Sequence, residues 1–155
     1  TLENIKIKMN FVFLCAFAFF AVVHSVTIPS PEDVKKYSSC WEYALCEDPS
    51  ETKEIKGCIN TLKPMELQSY FQLLSKNYDF SFNSDDLSGK ISEFCSYDDD
   101  KQDDVFHKIF DAIYDFLKKS SDEGNAGTLA RTGKSLNCEY DIFTKLEKDG
   151  KCQKE

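Results

Sequence analysis

The sequence contains very little histidine: two residues in 155, of which only His107 lies beyond the first 25 positions. Histidine is the commonest metal ligand and the commonest general base near neutral pH. Zinc or copper sites usually need several histidines or free cysteines, so both are disfavoured. The sequence therefore predicts no metal, no cofactor and no catalytic residue.

His107 is nevertheless placed one helical turn from three aspartates, so that a carboxylate could orient its ring as in a hydrolytic dyad or triad. No Gly-x-Ser-x-Gly segment and no cysteine–histidine pair supplies a nucleophile. Paired carboxylates for glycoside hydrolysis cannot be singled out among so many acidic residues. We interpret His107 as a surface residue in an acidic environment and predict that the chain is not an enzyme.

Two partial motifs fail on spacing. The segment from Gly127 to Ser135 ends in Gly-Lys-Ser as a P-loop does, but five residues instead of four separate its glycines and no strand precedes it. An EF-hand frame that begins at Asp98 puts Asp103 where a glycine is needed and Ile109 where a bidentate glutamate is needed. Nucleotide binding and specific calcium binding are both disfavoured.

The chain has one long apolar run, Phe11 to Val23, which is too short to span a bilayer and is followed by residues suited to signal-peptide cleavage. We interpret residues 9–25 as a secretory signal peptide that starts at Met9. Residues 1–8 are then leader or added residues, or an extended n-region with Lys6 and Lys8. Residues 26–155 form a single secreted domain that has no Asn-x-Ser/Thr glycosylation site and no membrane span.

Those 130 residues carry 26 acidic and 17 basic side chains, a net charge of −9. This charge repels phosphate backbones and anionic membranes, so nucleic acid and membrane surfaces are disfavoured as partners. Most of the acids are interpreted as solvated surface. A patch for a cationic protein partner stays open, with its best location at Asp98, Asp99, Asp100, Asp103 and Asp104.

Loss of the signal peptide removes Cys15 and leaves an even number of cysteines, which an extracellular environment favours as three disulfides. Because Cys138 and Cys152 flank a predicted helix, they would lie roughly 20 Å apart, beyond the Cα reach of about 7 Å. A hairpin of the first two helices around Asp48 predicts the pair Cys40–Cys58. The six cysteines are Cys40, Cys46, Cys58, Cys95, Cys138 and Cys152.

Apolar spacing is helical almost throughout and predicts an all-α fold, a single disulfide-stapled bundle of five to six helices. The segments Tyr78–Phe82 and Ser120–Lys134 are predicted to be loops, the first because its alternating strand pattern has no partner, the second for its Ser, Gly, Asn and Thr content. Predicted helix starts or spans are Ser30-Pro31, Asp48-Pro49, Pro64, a short helix from Leu87 to Cys95, Lys101–Lys119 and Cys138–Lys148.

A series of short signatures occurs in the same order after Cys58 and after Cys95. Each series runs through a helical apolar pattern, a Tyr-Asp-Phe tripeptide, a Ser-Asp pair and a Ser/Thr-Gly-Lys tripeptide, and ends at Cys-x-Tyr-Asp. A duplicated helix–loop–helix unit, with copies at 58–94 and 95–137, is one interpretation. Chance similarity between two amphipathic helices is the other.

Aromatic residues are the remaining signal: one Trp, eight Phe and seven Tyr follow the signal peptide, mostly at helical core positions. They fit a packed core, or an apolar pocket between helices in which tyrosine hydroxyls orient a small hydrophobic ligand. The candidate pocket residues are Tyr37, Trp41, Tyr70, Phe71, Phe106 and Phe110.

The predicted protein is similar in its general class to the insect odorant-binding proteins, which are secreted helical proteins with six cysteines. That family has its second and third cysteines much closer together than Cys46 and Cys58, so the similarity is one of class only. We expect a monomeric extracellular protein that binds or carries a small apolar ligand. The alternative is a secreted gland or venom effector that acts on a protein partner through its acidic surface.

Overall fold

A computed structural model describes residues 27–152, and the predicted signal peptide lies outside the described residues. Within 27–152 the chain forms α-helices and one π-helical segment, with no strand and no helix long and apolar enough to cross a membrane. The predicted all-α, disulfide-stapled bundle is confirmed. The elements are α1 (Pro31–Lys35), α2 (Ser38–Glu42), the π-helical segment (Tyr43–Glu47), α3 (Pro49–Ile59), α4 (Pro64–Tyr78), α5 (Leu87–Cys95), α6 (Asp99–Asp122) and α7 (Ala126–Lys148).

The helix starts predicted at Ser30-Pro31, Asp48-Pro49 and Pro64 are confirmed. Ser30 Oγ accepts a hydrogen bond from the backbone N–H of Asp33 at 3.2 Å and caps α1. Asp48 caps α3 by accepting from the N–H of Ser50 at 2.9 Å. Pro64 occupies the first turn of α4, where its missing N–H removes no hydrogen bond. The first predicted helix is divided, because the chain turns between α1 and α2.

The predicted loop at Tyr78–Phe82 is confirmed from Asp79 onward, whereas Tyr78 is the last residue of α4; Asp79 caps this helix with φ of 49°, in the left-handed region. The predicted loop at Ser120–Lys134 is wrong. Helix α6 continues to Asp122 and α7 begins at Ala126, so only residues 123–125 connect them. The predicted helix Cys138–Lys148 is therefore the second half of a helix of 23 residues.

The small polar residues of α7 are helical because the helix itself and its neighbours satisfy their hydroxyls. Thr132 Oγ1 donates to the Thr128 carbonyl at 2.9 Å, and Thr128 Oγ1 donates to Glu66 Oε1 at 2.8 Å. Gly133 has the Ile28 side chain 3.4 Å from the position a Cβ would take. The side chains on this face of α7 are small and buried. Residue types that are typical of loops therefore allow close packing against neighbouring segments here.

Helices α6 and α7 form an antiparallel hairpin that carries the core. Helices α2 and α3 pack on α7, and α4 packs on α6. Trp41 lies at the centre, with its ring centroid 5.3 Å from that of Phe110 and 6.0 Å from that of Phe143. Both phenylalanines are fully buried.

The disulfides are Cys40–Cys152, Cys46–Cys95 and Cys58–Cys138, with Cα atoms 4.7, 5.4 and 5.6 Å apart. The predicted pair Cys40–Cys58 is wrong because α7 packs against both α2 and α3. Cys58 therefore pairs with Cys138 on α7, and Cys40 pairs with Cys152, four residues after the end of α7. The expectation that Cys138 does not pair with Cys152 is confirmed. The duplication of 58–94 and 95–137 stays a prediction.

Candidate functional site

An apolar cavity of about 70 Å³ lies inside the bundle, bounded by α2 and its π-helical extension and by α3, α4, α5, α6 and α7. We call it the Glu139 cavity, after the one carboxyl group in its lining. Its inner wall is formed by buried side chains of α6 and α7 together with Trp41. The aromatic side chains of the lining are Trp41, Tyr70, Phe71, Phe82, Phe94 and Phe116.

The half-buried part of the lining forms the mouth of the cavity, on the side of α4, α5 and the loop between them. The rings of Phe71 and Phe82 meet edge to face there, with centroids 6.3 Å apart. The ammonium group of Lys90 lies 5.0 Å from the centre of the Phe71 ring. The same ammonium donates to the carbonyl of Asp85 at 2.8 Å and to the carbonyl of Ser84. The mouth therefore combines aromatic rings with one cation whose hydrogen bonds are made to the backbone.

Glu139 is the unusual residue of the inner wall, since its side chain is buried with 2% of the residue exposed. Its Oε1 accepts a hydrogen bond from Ser135 Oγ at 3.0 Å, one helical turn earlier on α7. Its Oε2 has no hydrogen-bond partner within residues 27–152. Burial raises the pKa of this carboxyl to about 8, and the bond from Ser135 opposes the rise only in part. The group is therefore mostly un-ionised at neutral pH.

Two of the buried side-chain polar atoms that lack a partner in the described part of the chain belong to this lining: Glu139 Oε2 and Trp41 Nε1. The other hydroxyls of the lining are already used. Tyr70 Oη donates to the Ile109 carbonyl at 2.9 Å, and Thr132 donates within α7. Buried polar atoms are usually paired, so two exceptions among the lining residues of one apolar cavity are unusual.

The structure brings together three of the predicted pocket residues, Trp41, Tyr70 and Phe71, and places the other three elsewhere. Phe106 and Phe110 have no exposed surface and pack with Trp41 in the core. Tyr37 lies on the other side of the bundle, where its hydroxyl donates to Glu147 at 2.9 Å.

Glu139, Ser135 and Lys90 were not among the predicted pocket residues. The signal for Glu139 is its place in the apolar stripe of α7, four residues after Ser135 and four before the buried Phe143. Because the predicted helix begins at Cys138, it lacks the turn that contains Ser135. The apolar pattern of that shorter helix does not mark Glu139 as an acid on a buried face.

His107 and the aspartate cluster lie on α6, away from the cavity. His107 Nε2 is 3.6 Å from Asp103 Oδ2, and both side chains are more than a third exposed. Lys108 contacts Asp104 at 2.9 Å, and Asp98 caps α6 by accepting from the Lys101 N–H at 2.9 Å. The cluster thus supplies a helix cap and surface ion pairs. The Gly127–Ser135 segment lies within α7 and is not a loop that could wrap a phosphate.

Comparisons of the chain with protein-family models, with curated proteins and with solved structures found no match.

Proposed function

We propose that the protein is a non-enzymatic extracellular carrier or binding protein for a small apolar molecule, which it holds in the Glu139 cavity. The observation that carries the proposal is open space with apolar walls at the centre of an otherwise packed bundle. Ligand sites in helical proteins commonly lie between helices and combine apolar walls with a few polar groups. Three disulfides suit an oxidising environment outside the cell.

The size of the cavity limits the ligand. About 70 Å³ exceeds the ~10–15 Å³ that one water needs but is smaller than the ~150 Å³ apolar cavity in which benzene binds. The bound molecule is therefore compact, or it is the end of a longer molecule that enters through the mouth between α4 and α5.

Trp41 provides the test, because it is the only tryptophan and lies in the cavity wall. Titration with hexan-1-ol and with hexane, whose ends can enter through the mouth, should change its fluorescence in a saturable way. Ile113→Phe places a larger side chain in the lining and should abolish the response. Leu73→Phe is the matched control, since Leu73 is also half-buried but lies outside this cavity.

Two results would contradict the proposal. One is the lack of a saturable response to either probe in the wild-type protein. The other is a response of Ile113→Phe equal to that of Leu73→Phe, which would place the probe outside the Glu139 cavity.

A further inference from the structure

We propose that the carboxyl group of Glu139 recognises the ligand through the oxygen that Ser135 does not bind, and that the ligand presents to it an uncharged oxygen of a hydroxyl or carbonyl group. The inference rests on the proposed function and specifies the ligand of the same cavity. Geometry carries it: Ser135 binds one carboxyl oxygen at 3.0 Å, and the other has no partner within residues 27–152.

An unpaired carboxyl oxygen in an apolar wall is unfavourable, because it has lost its bonds to water and gained none from the protein. A ligand oxygen that accepts the carboxyl O–H would remove this penalty. Trp41 Nε1 is a second unpartnered donor among the residues of the same lining, and it can only donate. Both groups can therefore donate to an oxygen with lone pairs.

The other elements place no charged group beside Glu139 in the inner wall, and the one cation of the lining lies at the mouth. On α4, the Tyr70 hydroxyl is bonded to the Ile109 carbonyl, and burial raises its pKa well above the usual range. On α5, Lys90 stands at the mouth, bonded to backbone carbonyls. The remaining lining from α2 and its π-helical extension, α3 and α6 is uncharged: Trp41, Leu45, Ile59, Ile109, Ile113 and Phe116.

A charged ligand is disfavoured for a related reason. A carboxylate would place an anion beside a carboxyl group in an apolar wall, where no cation other than Lys90 belongs to the lining. An ammonium would require Glu139 to ionise in the same low-dielectric site. An uncharged oxygen requires neither, since it accepts a proton that the buried carboxyl already carries.

The test compares hexan-1-ol with hexan-1-amine by Trp41 fluorescence over a range of pH. Because burial raises the pKa of Glu139 to about 8, ionisation removes the donated O–H, so the affinity for hexan-1-ol should fall about three- to tenfold as the pH rises through that value and then level off. Glu139→Gln keeps an uncharged hydrogen-bonding group and should bind hexan-1-ol with no pH dependence in this range. Glu139→Leu should weaken the binding of hexan-1-ol about three- to tenfold and leave the binding of hexane, which has no oxygen, unchanged.

The outcomes separate this inference from the proposed function. The inference would be overturned if hexan-1-amine bound more tightly than hexan-1-ol and its binding strengthened as the pH rose through the pKa of Glu139. That result would mean that Glu139 binds its ligand as an anion. Equal affinity of hexan-1-ol for the wild type and Glu139→Leu would also overturn it, while the carrier function would stand. Failure of every probe would overturn both. If Glu139→Leu does not fold, the pH profile of Glu139→Gln decides.

Discussion

Glu139 makes the free energy of unfolding depend on pH in the direction opposite to that of a carboxylate paired with a cation. Its pKa rises from the ordinary 4.5 to about 8 in the folded protein. Between these values the folded state keeps a proton that the unfolded state releases. Stability is therefore greatest below the unfolded pKa, falls as the pH rises, and levels off above the folded pKa.

We expect Glu139→Gln to remove this loss of stability. In urea unfolding, the wild type should lose up to about 1.4 kcal/mol per pH unit from this group between about pH 5 and pH 8, whereas the variant should lack that contribution. Glu47→Gln is the matched control, because Glu47 is exposed on the π-helical segment. Identical pH profiles for the wild type and Glu139→Gln would show that Glu139 does not hold its proton in the folded state.

His107 has a side chain suited to general acid–base catalysis, but we expect it to have no such role. It is more than a third exposed and faces Asp103 on its own helix, so we expect His107→Ala to change the free energy of unfolding by less than about 0.5 kcal/mol and to leave probe binding unchanged. The measurements are thermal unfolding and Trp41 titration. If a biological activity of the protein fell about a hundredfold with the fold intact, His107 would act as a general base.

The aromatic residues show how far sequence can predict the site. Helical periodicity predicts inward faces for Trp41, Tyr70 and Phe71, which line the cavity, but it predicts them equally for Phe106 and Phe110, which are packed in the core. Periodicity reports which face of a helix is buried. Whether facing side chains fill the space or leave a cavity depends on the three-dimensional offset between helices, which no single helix pattern contains.

At the scale of elements, α4 and α7 are joined by an ion pair with several hydrogen bonds. The Glu66 carboxylate accepts hydrogen bonds from Arg131 Nε at 2.9 Å, from Thr128 Oγ1 at 2.8 Å and from the Lys63 backbone N–H at 2.8 Å. Chiefly the Arg131 hydrogen bonds lower the pKa of Glu66 to about 2. The contribution of this group is present above the ordinary 4.5 and is lost as the pH falls towards about 2.

Arg131→Met should therefore destabilise the protein at neutral pH by about 1–3 kcal/mol, since it leaves the mostly buried Glu66 without its cation. Lys118→Met is the control. It breaks the exposed pair with Asp122, 2.6 Å apart, and should change stability by less than about 0.5 kcal/mol. Urea unfolding of both variants measures the difference. Equal effects would mean that the α4–α7 pair contributes no more than a surface contact.

Helix α7 explains the largest error of sequence-based prediction. Ser, Thr, Gly and Asn favour caps and loops because their side chains compete for backbone hydrogen bonds, or because they lack a side chain. In α7 the hydroxyls of Thr128, Thr132 and Ser135 bond to Glu66, to the helix backbone and to Glu139. The helix backbone and Glu139 both belong to α7. Glu66 belongs to α4, so only the tertiary fold brings it to Thr128.

At the scale of the whole molecule, each disulfide joins parts of the chain that are distant in sequence. The all-α class follows from apolar periodicity, and the six paired cysteines follow from their even number. Connectivity does not, because it depends on α7 lying against both α2 and α3. We expect a non-reducing peptide map to yield Cys40–Cys152, Cys46–Cys95 and Cys58–Cys138. A Cys40–Cys58 peptide would refute this arrangement.

Two of these disulfides should act differently on the cavity. Cys46–Cys95 is flanked by Leu45 and Phe94, which both line the cavity, so this bond fixes the wall formed by the π-helical segment and α5. Cys40–Cys152 instead ties α2 to the segment after α7; Cys40 precedes the lining residue Trp41, but no described residue beside Cys152 belongs to the lining. We expect the double variant Cys46→Ala/Cys95→Ala to lose affinity for hexan-1-ol, because the α5 wall is then free to move and must be ordered again on binding.

The matched double variant Cys40→Ala/Cys152→Ala should lower the free energy of unfolding by about 2–4 kcal/mol with little change in affinity. Urea unfolding and Trp41 titration, both in conditions where each variant is fully folded, separate the two effects. Equal losses of affinity in both variants would mean that global stability controls binding. An unchanged affinity after removal of Cys46–Cys95 would mean that packing alone, through Leu45, Phe94 and their neighbours, holds the α5 wall of the cavity in place.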